Sequence, residues 1–328
     1  MKILIVKLSS LGDVVHTLPA LQDIRRAFPR AQIDWVVESG FAPVVQRCSG
    51  VNRVIECDLR RWRKTPFSNS TREAWRIFRQ QLQSQYYDAV IDAQGLSKSA
   101  WVSWLSRMAP GGQRFALANR TDGSSYEAPT RWVADQPITL RPRIHAVQRS
   151  RELCAQALGY ALLSSPSYGL LGKVDPAAKS ERTVVFVHGS SRTDKLWPEA
   201  HWVALGQRLQ GEGYSVALPH GSEEERQRSE AIAGQLPGAV VWPRLGLAEL
   251  TDVLAGSSGV IGVDSGLSHI ATALDLPHVQ IYNFETAWRT GPQSDSGQVA
   301  HQRSIFAQPH PAVDAVWQTW QQVMQGRT

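Results

Sequence analysis

The first twenty residues, Met1–Ala20, read MKILIVKLSSLGDVVHTLPA. Ile3–Val6 is a short apolar run suited to a buried parallel strand; Ser9, Ser10 and Gly12 interrupt it, and Val14 to Leu21 resume at helical spacing. A strand, a turn of small residues and a helix start form half of a nucleotide-binding α/β unit. Asp13 stands where that helix begins, on the rim where such folds take ligands. An Asp at this place commonly caps the helix, and position alone favours the cap.

Outward from this stretch the rhythm repeats. Strands are expected at Ile33–Val37, Arg53–Cys57, Ala89–Asp92 and Arg114–Ala116, and helices at Val14–Phe28, Thr71–Ser84, Ser97–Met108 and His145–Leu158. Ser, Pro, Gly and Lys then collect around Leu162–Glu181, which marks a linker. A second set follows, with strands at Thr183–His188, Ser215–Pro219, Gly259–Val263 and His278–Tyr282. Its helices lie near Trp197–Gln210, Glu223–Gln235, Leu247–Ala255 and Gly266–Leu274, and a last helix spans Pro311–Gln325. The βαβ alternation predicts an α/β protein of two similar doubly wound parallel-sheet domains facing each other across a cleft.

The chain has 328 residues, enough for two cores, with 42% hydrophobic and 20% charged residues, ordinary values for a soluble protein. Its cysteines, Cys48, Cys57 and Cys154, show neither CxxC pairing nor His at metal spacing, which fits a reducing compartment. The N-terminal apolar run is too short for a signal peptide. Leu153–Gly172 is uncharged over the length of a membrane span, but Pro166 and its glycines break any continuous apolar helix. The net charge of +6 is uneven: residues 1–160 hold 23 Lys and Arg against 13 Asp and Glu, whereas residues 161–328 hold 12 against 16. The first half is therefore suited to something anionic: nucleic acid, a phosphorylated substrate or an acidic membrane face.

The sharpest local signal is Val260-Ile-Gly-Val-Asp-Ser-Gly-Leu-Ser-His269. A strand ends at Asp264, Ser265 and Gly266 turn the chain, and a helix opens whose free N–H groups favour an anion such as a diphosphate. Asp264 would accept from sugar hydroxyls, and His269 would donate to a phosphate oxygen. The plainer reading is a capping Asp and a His satisfied by backbone, but the strand–turn–helix context favours ligand contact. Val187-His-Gly-Ser-Ser-Arg-Thr-Asp-Lys-Leu-Trp-Pro198 has the same context: Ser190 and Ser191 offer hydroxyls, and Lys195 a point charge. Glu223-Glu-Glu225 follows another strand end, where one Glu could hold ribose hydroxyls, although an acidic first helical turn explains the run equally well.

GxGxxG, GxxxxGK[ST], HExxH and DxD are all missing, which weakens dinucleotide, P-loop and metal readings. The basic charge concentrates in Leu59-Arg-Arg-Trp-Arg-Lys64, expected in a loop, and Lys98 follows Asp92-Ala-Gln-Gly-Leu-Ser. With Lys7 these would make a pocket for several phosphates or carboxylates. A basic run with an interleaved Trp also suits nucleic acid, but so short a cluster favours a small polyanion. Trp101 and Trp104 share a helical face and are expected in the core rather than as a membrane anchor.

Together, VKLSSLGDVVHTLPAL, WVVE, RRWRK, YDAVIDAQGLSKSA, DKLWPEAHW and VDSGLSHIATAL resemble the ADP-heptose:lipopolysaccharide heptosyltransferases of glycosyltransferase family 9. RRWRK and DAQGLSKSA are most similar to the branch that adds the first heptose to the Kdo of Kdo2-lipid A. The resemblance implies a GT-B fold of two Rossmann-like domains: residues 1–165 for the acceptor, 180–310 for ADP-heptose, and 311–328 a helix crossing back to the first domain. It implies Asp13 as catalytic base. It places Ser190, Ser191, Lys195, Glu223 (or, across a gap, Glu224), Leu245, Asp264, Ser265, Gly266, Leu267 and His269 at the donor. Ser10, Arg60, Arg61, Arg63, Lys64, Lys98 and Arg120 fall at the acceptor. Where the family continues with a Gly-Pro-Thr-Asp-like turn, this chain has Asn283–Trp288.

The implied reaction is one displacement at the anomeric carbon, inverting, without metal or cofactor. The implied partners are ADP-heptose, Kdo2-lipid A and the cytoplasmic face of the inner membrane, touched peripherally by a cytoplasmic protein; no nucleic acid is expected. The competing readings are another family 9 transferase, a non-catalytic nucleotide- or nucleic-acid-binding module, and a dehydrogenase, the last disfavoured by the missing glycine fingerprint.

Overall fold

Strands that are apolar throughout need cover on both faces, which parallel sheets flanked by helices provide. The computed structural model shows this arrangement in both halves and describes residues 1–162, 166–173, 182–293 and 301–326. The chain divides into two units, Met1–Gly169 and Leu170–Thr328. Much of the linker expected at Leu162–Glu181 lies outside the described residues.

The first unit contains β1 (Lys2–Val6), β2 (Gln32–Glu38), β3 (Arg53–Cys57), β4 (Tyr86–Asp92), β5 (Arg107–Leu117) and β6 (Gln136–Ile138), in the order β3-β2-β1-β4-β5-β6. The second contains β7 (Thr183–Val187), β8 (Ser215–Leu218), β9 (Val240–Val241), β10 (Gly259–Val263), β11 (His278–Tyr282) and β12 (Gln302–Phe306), in the order β12-β11-β10-β7-β8-β9. Every pairing is parallel. Numbered within its own unit, each sheet runs 3-2-1-4-5-6, the doubly wound nucleotide-binding order. The order reverses between β1 and β4 in one unit and between β7 and β10 in the other. Ligands of such sheets bind at the carboxyl ends of those strands.

Several expected elements differ. The helix foreseen at Val14–Phe28 is two, Leu11–Val15 and Leu18–Ala27. Pro19 has no N–H to continue the first helix, so it sits in the opening turn of the second. The strands β6, β9 and β12 were not foreseen; they are edge strands, short or mostly polar, without an apolar run to mark them. RRWRK is not a loop but the helix Leu59–Lys64, anchored by buried Trp62 against Trp75 and Phe78.

That helix, Asn69–Leu82 and Ser97–Leu105 cover one face of the first sheet, packing Trp62, Phe78, Leu82 and Val102 on Leu4, Val6, Val36 and Val90. Trp101 and Trp104 are not in this core: they are 42% and 62% exposed. Their helix buries Ser99, Ala100, Val102 and Ser103 instead, small residues that let it lie close to the sheet and turn both indoles outward. In the second unit, Val316, Trp320 and Val323 of the final helix, Val313–Gln325, join the core around Val279, Ile281 and Trp202. The final helix thus buries its apolar face in the core of the second unit. The three cysteines are buried and unpaired. Among the described residues, no helix is long and apolar enough to cross a membrane.

Candidate functional site

At the switch point of the first unit, the loops after β1 and β4 are stitched together. Gln94 Oε1 accepts from the backbone N–H groups of Leu8 and Ser9, both at 3.0 Å. Asp92 accepts from the N–H groups of Gln94 and Gly95 and from the Ser99 hydroxyl; even so, burial pushes its pKa up to about 6. This scaffold fixes the turn that carries Asp13.

Asp13 occupies the third position of the helix Leu11–Val15. Its Oδ2 accepts from the backbone N–H of Ser10 at 3.2 Å and from the Ser10 hydroxyl at 3.1 Å. The capping role is therefore real, but Ser10 is the N-cap and Asp13 the residue that reaches back. The other oxygen, Oδ1, faces Lys7 Nζ at 3.8 Å and Arg149 at 3.6 Å, both buried, while the Asp13 side chain keeps 37% of its surface. Burial pushes the Asp13 pKa up, but Lys7, Arg149 and the Ser10 N–H outweigh it and hold the carboxyl below its ordinary value. Burial in turn pulls Lys7 down to about 8, with Asp13 acting against that fall. The result is an ionised carboxylate, gripped from beneath by two cations and open on one side.

Arg149 was missed by sequence reading. It sits on the helix Ala146–Leu158 with no local motif, and only the packing of that helix beside Leu18–Ala27 brings it to Asp13. Its guanidinium also donates to Thr121 Oγ1 at 3.4 Å. In that same loop, exposed Arg120 donates to the Ser124 carbonyl. Lys98 donates to Ser9 Oγ at 2.9 Å and, with Arg60, flanks buried Glu38 at the end of β2. Burial raises the Glu38 pKa against both cations. Arg61 pairs with Asp58 at 2.7 Å. Arg63 and Lys64 are exposed, and among the described residues neither has a hydrogen bond or ion pair to the Asp13 cluster.

At the switch point of the second unit, Lys195 Nζ lies 2.5 Å from Asp264 Oδ2, and His269 Nε2 lies 3.3 Å from Oδ1. Thr290 Oγ1 approaches Oδ1 at 3.5 Å, and the Ser190 hydroxyl donates to the Asp264 carbonyl at 3.4 Å. Burial would raise the Asp264 pKa, yet His269 and Lys195 hold it well below the usual carboxylate range. Asp264 was expected to take sugar hydroxyls. Here its oxygens meet Lys195, His269 and Thr290, so it also positions Lys195 and His269. Ser265 precedes the helix Gly266–Ala273, whose first turn includes half-buried Leu267. A side chain at Gly262 would overlap Ser268 and Val187, so the glycine lets this helix lie against the strands.

The atypical segment after β11 has a definite place. Asn283 Nδ2 donates to the carbonyls of Asp194 and Leu196, at 3.2 and 2.9 Å, bracketing Lys195 on both sides. Of the glutamate run, Glu223 points to solvent and pairs with Arg226, and Glu224 is exposed. Glu225 turns inward: it accepts from the Gly221 N–H at 2.7 Å and lies so close to Gly189 that a side chain there would clash with it. The third glutamate, not the first, faces the loop after β7. Leu245 is half-buried in the segment leading to the helix Leu247–Ala255 and offers an apolar contact.

Residues 75–311 match the sequence model of glycosyltransferase family 9 (heptosyltransferase). The chain is 44% identical to lipopolysaccharide heptosyltransferase 1 of Pseudomonas aeruginosa over 293 residues, which cover 86% of this chain and 78% of the relative. It superposes on E. coli heptosyltransferase WaaC with ADP at a TM-score of 0.87 and 35% identity, covering 98% of this chain and all of that one. The WaaC structure with ADP-2-deoxy-2-fluoro heptose matches at 0.81, also at 35% identity and over the full length of both.

Proposed function

Since the chain belongs to glycosyltransferase family 9, the heptosyltransferases, we propose that it moves heptose from ADP-heptose to the Kdo of Kdo2-lipid A in building the lipopolysaccharide core. The observation that carries this reading is the ionised Asp13, half open and seated between two buried cations at a switch point.

A sugar hydroxyl is a poor nucleophile near neutral pH, so a carboxylate within ~3 Å must take its proton as the bond forms. Asp13 is that base. The acceptor oxygen bonds to the anomeric carbon, the bond from that carbon to the diphosphate breaks, and ADP leaves with the electron pair. One such displacement inverts the anomeric centre and needs no covalent enzyme intermediate. Lys195, the hydroxyls of Ser190 and Ser191 and the helix start at Gly266 stabilise the departing charge. Asp264 and Asn283 hold Lys195 in place. Glu225, rather than Glu223, takes the ribose hydroxyls. Lys7, Arg149, Lys98, Arg60 and Arg120 supply the positive setting in which Kdo carboxylates and lipid phosphates bind. The protein meets the lipid from the cytoplasmic side of the inner membrane, as a peripheral visitor.

We also propose that transfer is metal-independent, because Lys195 and a helix start already offer the diphosphate a positive partner. ADP release from ADP-heptose, driven by Kdo2-lipid A, is expected to proceed undiminished in excess EDTA. Activity lost to EDTA and restored by Mg2+ would contradict metal independence. Release driven only by an acceptor already carrying heptose would move the enzyme to a later step of the core. A pH profile tests the base: removing the cation that favours ionised Asp13, as in Lys7→Met, raises the Asp13 pKa. The acid limb of kcat/KM must then shift to higher pH, and an unmoved limb would remove Lys7 from this role.

A further inference from the structure

One helical layer of the first unit carries Arg60 and Lys98 of the proposed acceptor setting and, beside them, a surface that the proposed chemistry leaves unused. The helices Leu59–Lys64, Asn69–Leu82, Ser97–Leu105 and Pro129–Val133 together bear nine Lys or Arg and a single Glu. Contacts of Trp75 with Trp62 and Trp101, and the packing of Ser97–Leu105 against Pro129–Val133, join them into one surface. From this layer Phe67, Trp104 and Trp132 project at 83%, 62% and 73% exposure. Single exposed apolar residues are ordinary, but three large exposed rings carried by one cation-rich helical layer call for a partner. Indole and phenyl rings interleaved with Arg are the composition of a protein surface resting at lipid headgroup level, and the cation excess matches an anionic leaflet.

We propose that this face docks the protein on an anionic bilayer, with Phe67, Trp104 and Trp132 entering the headgroup region and Arg72 and Arg76 meeting lipid phosphates. The proposal rests on the acceptor being a lipid, and it gives that reading a location on the molecule. Nucleic acid would value the same cations but needs open ring faces on which bases stack. Trp101 already stacks on Trp75, with centroids 4.7 Å apart and planes at 13°, and Trp104, Trp132 and Phe67 stand on three separate segments rather than along one groove.

Vesicle flotation tests this directly. The wild-type chain is expected to float with vesicles of phosphatidylethanolamine and phosphatidylglycerol but not of phosphatidylcholine alone. The triple variant Phe67→Ser, Trp104→Ser, Trp132→Ser should bind at least about ten-fold more weakly, while its turnover on a water-soluble Kdo acceptor without acyl chains stays at the wild-type rate and certifies its folding. A second variant, Arg72→Gln with Arg76→Gln, should lose much of the preference for phosphatidylglycerol. Equal flotation of the triple variant and wild type would overturn the proposal. So would oligonucleotide binding lost in the triple variant with vesicle binding intact. Flotation needs neither donor nor acceptor, so absent turnover by the wild type would overturn the heptose-transfer reading and leave the docking result standing.

Discussion

Asp13→Asn is expected to lower kcat by about 10²–10⁴-fold, the usual worth of a positioned general base, while the Kd for ADP-heptose stays near wild type. Asparagine can still accept from the Ser10 N–H that Asp13 holds at 3.2 Å, so the helix start survives, but it cannot take a proton from the acceptor. Asp13→Ala removes both roles. It should lose the same turnover and, in addition, about 1 kcal/mol of stability from the missing reach-back contact. It also strips the buried Lys7 of the anion that favours its charged form, so the Lys7 pKa falls further below its present value of about 8. The pair of variants separates cap from base. An Asn variant with near-native turnover would leave Asp13 as a cap only, and lost donor binding would mark it as structural.

Lys195→Ala should weaken donor binding by about 10–100-fold, the range for losing a hydrogen-bonded charge, with kcat also reduced because leaving-group charge goes unmatched. An ammonium has three N–H donors, and one is directed at Asp264 at 2.5 Å. Two remain for a diphosphate, so the anchor and the ligand contact do not compete. The same change leaves the buried Asp264 carboxylate with His269 and Thr290 alone, and breaking a largely buried pair is costly. Because Asp264 is held well below the ordinary carboxylate range, its contribution to stability is present above that range and lost as pH falls through the folded value. The Lys195→Ala protein should therefore show a lower Tm and unfold at a higher pH on acidification than the wild type. Unchanged donor KM and unchanged Tm together would remove Lys195 from both roles.

The sequence made some of this visible and hid the rest for identifiable reasons. Strands that are buried on both faces and largely apolar, such as Lys2–Val6, Gly259–Val263 and His278–Tyr282, were legible, because such burial leaves a mostly apolar run. Three of the four edge strands were not, since β6 has a proline, β9 only two residues and β12 mostly polar ones, whereas the edge strand β3 was read at Arg53–Cys57. Periodicity put Trp101 and Trp104 on one helical face but could not say which face met the sheet; the small residues Ser99, Ala100 and Ser103 decide that. In the site, residues that follow a strand end by a few positions were readable: Asp13, Lys195, Asp264 and His269. Their controlling partners were not. Arg149 reaches Asp13 from far along the chain, and Asn283 reaches the Lys195 loop from the end of another strand. No local pattern encodes either contact. The glutamate run illustrates a third limit: three identical side chains in a row differ only in direction, and direction came from the helix that Ser222 caps.

The most direct test of the account is the product itself. The chain is incubated with ADP-heptose and Kdo2-lipid A, the lipid is weighed by mass spectrometry, and the configuration of the new linkage is read by NMR. The account predicts a lipid heavier by one heptose, joined to Kdo with inverted anomeric configuration, and no such product from the Asp13→Asn variant. An unchanged lipid mass, a retained configuration, or full product from the variant would contradict it.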